Sequence, residues 1–510
     1  MRTHHILLGI ALILTTSVSS PAQESTGEER TAAWFEAHRA RPPMLRMFLQ
    51  RMPKGGDIHT HLSGAVYAES YIAWAANAGL CASTATGAIG PSSALAPEAR
   101  PVAEALRDPA FYSLIVDGLS TRNVANRPQS GHDQFFDAFS KFRAATKDRS
   151  ADMVAELATR AADQHVYYLE IMLTIGGDAL GALAGHVQFD ASDFAASRQR
   201  LLDAGLAETV KSGRAELDKL EQQIDAVLGC GRSPAPPACR VGRRYLQQAS
   251  RTSEPNMVFA QLVYGFELSR ADRRVVGVNI VAPEDFYVAR RDYSLHMRMV
   301  GWLTDLHGVV KTALHAGELT LGLVPPPDLR FHIREAVEVA KALRIGHGVD
   351  IAYERDAMQL LAEMKRRDVL VEICLTSNDV ILGVRGSRHP FPEYMNAGVP
   401  VTLATDDEGV SRIDLTNEYL RAAETYGLGY RQLKQLSRNS LTYSFLAGDS
   451  LWRSASDAQP VAACFGQHPD QPPSSACQSF LDASDKAQMQ LELERAFHAF
   501  EATGWPVEPR

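Results

Sequence analysis

The sequence has no Cys-x-x-Cys pair, no G-x-G-x-x-G turn, no stripe of basic residues and no internal repeat. Each absence removes a class of protein. Without Cys-x-x-Cys a cysteine zinc site is not supported, and the H-x-E…P-C-x-x-C signature of cytidine-type deaminases is missing too. Without the glycine turn, a dinucleotide-binding open sheet loses its fingerprint. The charge balance is 52 basic against 60 acidic residues, net −8, so a nucleic-acid partner is not expected. With 45% hydrophobic and 22% charged residues, the 510-residue chain has ordinary globular composition.

Long apolar runs are also scarce. Ile6 to Leu14 is apolar, follows a short, weakly basic start and leads into small residues through Ser20-Pro21-Ala22. This is the pattern of a secretory signal peptide, residues 1–22, cleaved after Ala22. The run is too short for a bilayer span, which needs about 20 residues. The expectation is one domain over residues 23–510, secreted or periplasmic, with no membrane association after cleavage. Six cysteines fit export. Cys230 and Cys239 bracket a Pro-rich loop, and Cys464 and Cys477 bracket another polar loop, so two local disulfides suit an oxidising compartment. Cys81 and Cys374 remain, Cys374 in an apolar run that reads as buried.

Strand-length apolar runs recur along the chain. They are 57–62, Tyr167–Leu173, Met257–Val263, Val275–Val281, Val309–Leu314, Leu343–Ile345, Val369–Ile373 and Val399–Ala404. Helix-like patterns lie between many of them. Eight strands alternating with helices predict an α/β fold, a (β/α)8 TIM barrel. Two regions break the alternation. Residues from about 176 to 256 read as a helical insertion after the second strand. The chain from about Leu446 reads as an extra C-terminal segment, helical from Ser484 to Ala502, packed outside the barrel.

The chemistry-bearing residues stand at strand ends. His59 and His61 are two apart, so on a strand both face one side and can reach one metal ion. His315 ends an apolar run and Glu318 follows three residues later. His347 stands in Gly346-His347-Gly348, and Asp406-Asp407 ends another run. Barrel enzymes place catalytic groups at the C-terminal ends of their strands. His347 follows His315 by 32 positions, as Asp406 follows Cys374, about one strand–helix–strand unit. Other histidines, among them His132, His165, His186, His296, His307, His332 and His389, lack that context and read as structural or solvated.

The ordered series Met52-Pro53-Lys54-Gly55-Gly56-Asp57-Ile58-His59-Thr60-His61-Leu62-Ser63-Gly64, His315-Ala316-Gly317-Glu318, Ile345-Gly346-His347-Gly348, Thr376-Ser377-Asn378 and Thr405-Asp406-Asp407 resembles the motifs of the adenosine deaminase family. The likeness runs from about Met52 to Tyr443 and is closest to its secreted members, including the adenosine deaminase growth factor type. The resemblance implies one Zn2+ per chain on His59, His61, His315 and Asp406. It implies Glu318 as the acid that protonates the purine ring and His347 as the group that orients and deprotonates the attacking water. Asp407 would hold the purine, with Ser63, Gly64 and Ala282 also at the substrate. The implied reaction is hydrolytic deamination of adenosine or 2′-deoxyadenosine, with a purine nucleoside as the small-molecule partner.

Two departures from the family bear on the substrate. Intracellular members usually have Asp where Ser63 stands, contacting the ribose 5′-hydroxyl, and Gly where Ala282 stands. Three rival readings stay open: another purine or AMP deaminase, an amidohydrolase on the same barrel, and a non-catalytic exported binding or signalling protein. An AMP deaminase needs a cationic phosphate site, which the sequence does not locate. The oligomeric state is also open, a homodimer being the assembly to test.

Overall fold

Eight parallel strands form one ring, and the ring closes where the expected metal ligands lie. The computed structural model describes residues 26–126, 128–456 and 458–503; the signal-peptide reading of residues 1–22 lies outside them. The strands are β1 (Gly56–His61), β2 (Tyr168–Leu173), β3 (Gly242–Ser250), β4 (Val275–Val281), β5 (Lys311–Ala316), β6 (Arg344–His347), β7 (Leu370–Ile373) and β8 (Val401–Leu403). Each pairs in parallel with the next in chain order. Just beyond β8, Asp406 bridges back to Thr60 of β1. The His61 N–H donates to the Asp406 carbonyl at 3.1 Å and the Asp406 N–H to the His59 carbonyl at 3.0 Å. The (β/α)8 expectation holds.

Barrel strands have side chains packed on both faces, so they read as near-continuous apolar runs. β2 is buried along its whole length, and most of β4 is. The outer helices bury one stripe each: Ala357–Arg366 turns Leu360, Leu361 and Met364 inward. Two leading helices, Gly27–Ala37 and Pro42–Arg51, are separated at Pro42-Pro43, where proline starts the second. Phe48 of the second stacks edge-on against Tyr430 and Phe500, tying the chain start to the C-terminal helix Asp485–Ala502 outside the barrel.

One strand assignment is corrected. Met257–Val263 is helical, inside Pro255–Ala271, and the third strand is Gly242–Ser250. The helix is apolar around most of its girth, Val258 to Phe266 being buried almost without break, so its periodicity is hidden. The true strand carries Arg243, Arg244, Gln247 and Gln248 and looks like a polar linker. Its charges are paired outside the sheet, Arg243 with Glu221 and Arg244 with Asp485. The helical interruption that opens at Gly176 therefore ends before Gly242. Its long helix, Leu206–Leu228, packs on Ser150–Asp163 and Pro255–Ala271 as a crossover helix of the barrel.

The larger elaboration lies between β1 and β2. Residues 62–167 form several helices and a three-stranded antiparallel sheet of Cys81–Ser83, Ile89–Gly90 and Ala99–Pro101. Both local disulfides are formed, Cys230–Cys239 and Cys464–Cys477, while Cys81 and Cys374 are free and buried. Among the described residues no helix is long and apolar enough to cross a membrane.

Candidate active site

Four side chains from three strand ends meet at the C-terminal mouth of the barrel. The ligand-type atoms of His59, His61, His315 and Asp406 all lie within 4.8 Å of one another. His59 Nε2 is 3.4 Å and His61 Nε2 3.3 Å from Asp406 Oδ1, and the Nε2 atoms of His61 and His315 are 3.1 Å apart. Four ligands at 2.0–2.1 Å around one tetrahedral ion would have edges of about 3.3 Å.

The outward sides of three of these groups are held. His59 Nδ1 donates to Glu372 Oε2 at 2.5 Å, and His315 Nδ1 to Asn279 Oδ1 at 2.9 Å. Asp406 Oδ2 accepts from the Ser377 hydroxyl at 2.6 Å. Such partners fix ring orientation and leave the inward nitrogen free as a ligand. Glu372 belongs to a buried ionic chain: Arg344 lies 2.6 Å from Glu372 and 2.7 Å from Glu170. Burial, with His59, His61 and His347 nearby, holds His315 well below the usual histidine range, so its lone pair is available. His59 Nε2 is buried with no hydrogen-bond partner. Three imidazoles, one carboxylate and an orphaned inward nitrogen fit a divalent ion such as zinc.

Three further buried atoms without partners surround this cluster: Glu318 Oε1, His347 Nε2 and Asp407 Oδ1. Glu318 Oε1 lies 3.7 Å from His347 Nε2. Burial, then the charges of Asp406 and Glu284, raises the Glu318 carboxyl well above the ordinary range. Burial and the adjacent Asp406 do the same for Asp407. Burial alone would raise Asp406 too, but His59 and His61 outweigh it and hold it low. The site thus pushes its carboxyls in opposite directions, Asp406 toward its charged form and Glu318 and Asp407 toward their neutral forms.

Glu318 is aimed by its backbone. The buried Glu284 carboxylate accepts from Gly317 N at 3.1 Å and Glu318 N at 2.9 Å. Glu284 also pairs with His332 Nδ1 at 2.6 Å and lies 3.6 Å from Arg251. Burial opposes its charge, but Arg251 and His332 prevail and bring it down to about 2. Three non-glycine residues around the site have left-handed backbone: Ala282 (φ +84°), His347 (φ +70°) and Asp406 (φ +60°). That conformation is costly for residues with a Cβ and persists where surroundings enforce it.

A cavity of about 930 Å³ opens onto the cluster. Ser63 and Ala282 line it with His61, His315, Glu318, His347, Asp406 and Asp407. Gly64 sits behind Asp407 instead, where an added Cβ would fall 1.5 Å from Asp407 Oδ1. The helix Gly131–Phe142 forms the outer wall with Phe136 and Phe139, and His132 pins that wall to the loop after β4 through Asp285 at 3.1 Å.

All the residues read as metal ligands or catalytic groups are brought together. Missed were Glu284, Asn279, Glu372 and the aromatic wall. Three of the histidines read as structural or solvated lie near the site. His132 lines the cavity, His332 clamps Glu284, and His389 reaches Asn378, which in turn contacts His347. Nothing in their own spacing marks them, because each acts through a residue distant in sequence.

A barrel with three histidines, an aspartate and a neighbouring glutamate at its mouth defines a metal-dependent hydrolase site of the amidohydrolase kind. The family model described as adenosine deaminase matches residues 117–456, and the chain belongs to that family. Among curated relatives, an adenosine deaminase of Enterococcus faecalis is 36% identical over 141 residues, 28% of this chain and 38% of that protein. An aminodeoxyfutalosine deaminase of Streptomyces coelicolor is 37% identical over 152 residues, 30% of this chain and 36% of that protein. The matches thus span well under half of these relatives' length. Among solved structures, arabidopsis ADAL complexed with IMP superposes with a TM-score of 0.50 at 20% identity. It covers 78% of this chain and 93% of that one and supports the fold alone.

Proposed function

We propose that the chain is an exported, zinc-dependent deaminase of a purine nucleoside, adenosine or 2′-deoxyadenosine. The observation that carries this is the convergence of Glu318 Oε1, His347 Nε2 and Asp407 Oδ1, all buried and unpaired, beside the His59–His61–His315–Asp406 cluster. Those four residues would hold the metal, which when bound supplies the Lewis acidity that makes water a nucleophile at neutral pH. Glu318, carrying a proton, donates it to the ring nitrogen beside the reacting carbon, which becomes electrophilic. The water oxygen forms the new C–O bond and the exocyclic C–N bond breaks. One water proton restores Glu318 and the other leaves with ammonia. Asp407, with a protonated carboxyl, donates to the purine and fixes its orientation. The Ala282 N–H remains available to the ring.

The lining of the cavity favours a nucleoside over AMP. Among the described residues Arg143 is the one arginine or lysine on its wall, and His132 is already paired with Asp133 and Asp285. The short Ser63 and the 930 Å³ volume support a second reading, an adenine nucleoside with a larger 5′ substituent. Over the matched stretches the chain is 36% identical to an adenosine deaminase and 37% to an aminodeoxyfutalosine deaminase, so identity does not choose a substrate. Export is supported by residues 1–22 and by the two disulfides. Ammonia release from adenosine, 2′-deoxyadenosine, AMP, adenine and a 5′-substituted adenosine, with metal content measured alongside, tests the reading. A kcat/KM for AMP above that for every nucleoside would overturn it.

A further inference from the structure

His347 ends β6 with Nε2 in the cavity and Nδ1 in a chain of hydrogen bonds that leads away from it. The chain begins at a group whose direction cannot reverse: the Phe391 N–H donates to His389 Nδ1 at 3.1 Å. A ring nitrogen that accepts carries no proton, so the His389 proton is on Nε2, which donates to Asn378 Oδ1 at 3.0 Å. This settles which end of the Asn378 amide faces which neighbour, a choice that heavy-atom positions alone leave open. Asn378 Nδ2 therefore donates to His347 Nδ1 at 3.0 Å. All three side chains are buried, with exposures of 0% for His347 and Asn378 and 2% for His389, so no solvent competes for these bonds. His347 Nδ1 is thus an acceptor, and the ring's single proton lies on Nε2, facing the cavity.

We propose that Asn378 and His389 are positioning residues that hold His347 as its Nε2–H tautomer, so that His347 meets the attacking water as a hydrogen-bond donor and not as the base that deprotonates it. The consequence for the reaction rests on the deamination reading above; the tautomer does not. A donor at this point orients the oxygen lone pair toward the reacting carbon. Removal of the water's proton falls to the Glu318 carboxylate once Glu318 has protonated the ring. His347 Nε2 and Glu318 Oε1, 3.7 Å apart, then flank the same oxygen. The three links come from separate parts of the fold: the end of β6, the helix Leu375–Leu382, and the turn before the helix Phe391–Ala397. Side chains so distributed keep their relative positions only while all three segments are packed.

The test uses the full chain, metal-free, labelled with 15N-histidine. Two-bond proton–nitrogen couplings report which ring nitrogen bears the proton, and His347→Gln identifies the signals of His347. The expected result is a proton on Nε2 in the parent and on Nδ1 in Asn378→Asp, where the carboxylate can only accept. In the metal-loaded enzyme Asn378→Asp should lower kcat by about a hundredfold, with KM and metal content within about twofold. His389→Gln keeps an amide N–H for Asn378 and should retain the parent tautomer and most of kcat, while His389→Leu should lose both. A parent His347 protonated on Nδ1, or an Asn378→Asp enzyme as fast as the parent, overturns the proposal. If the tautomer is as expected but no purine is deaminated, the relay stands and the deamination reading falls.

Discussion

Asp407 occupies the space that a side chain on Gly64 would need. An ideal Cβ on Gly64 would lie 1.5 Å from Asp407 Oδ1 and 2.3 Å from its Cγ. Gly64→Ala must therefore displace the Asp407 carboxyl from the position proposed for holding the purine. The expected outcome is a loss of kcat/KM of about ten- to a hundredfold, as follows from misplacing a positioning group by about an ångström. Metal content should be unchanged, since no ligand moves; steady-state kinetics with metal analysis checks both.

Glu372 holds His59 from behind at 2.5 Å. Glu372→Ala leaves the His59 ring unanchored and the Arg344 guanidinium with one fewer carboxylate. Metal affinity should fall about 10–100-fold, the usual effect of losing such a partner. Competition with a chromogenic chelator measures it. Unaltered affinity would remove Glu372 from the metal's support.

Glu318→Gln keeps the shape and a hydrogen-bond donor but cannot transfer the proton. The prediction is a fall in kcat of at least about 10²-fold, with zinc content and binding of a ground-state purine unchanged. If Glu318 served only to stabilise the fold, the melting temperature would drop instead and kcat would stay within a few-fold.

The acid arm of stability should depend on Glu284. Its carboxyl is lowered from 4.5 to about 2 on folding, because Arg251 and His332 overcome the cost of burial. A lowered folded-state value contributes stability that is complete above about pH 4.5 and lost as pH falls toward 2. Glu284→Gln removes that contribution. Melting temperatures recorded from about pH 2 to pH 7 should show a deficit for the variant that widens as pH rises to about 4.5 and is level above it. A deficit independent of pH would assign the loss to packing.

Ala282 has φ +84°, where glycine is at ease and alanine is strained. Ala282→Gly should leave kcat near the parent value and change stability by less than about 1 kcal/mol, because relief of strain offsets the added unfolded-state entropy. Chemical denaturation reads this directly.

What the sequence made legible followed from locality. His59 and His61 share a strand, and His315 and Glu318 share a turn, so short spacings report their juxtaposition. The apolar runs gave seven of the eight strands because buried parallel strands are apolar on both faces. β3 is hidden because Arg243 and Arg244 pair outside the sheet, and Met257–Val263 resembles a strand because a helix buried nearly all round has no polar face to reveal its period. Glu284, His332, Asn378 and His389 were invisible as a group, since each is defined by a partner on another element. The wall formed by Phe136 and Phe139 belongs to the long segment between β1 and β2, which carries no motif.

The bridge between Thr60 and Asp406 sets an order of events for the living chain. Two ligands come from the first strand and one from just beyond the last, so the binding site cannot exist on a ribosome-bound fragment that lacks the eighth strand. The place an ion would take is therefore complete only once the ring has closed, late in synthesis. Under the proposed export, a polypeptide that folds after translocation would meet its ion in the compartment of destination.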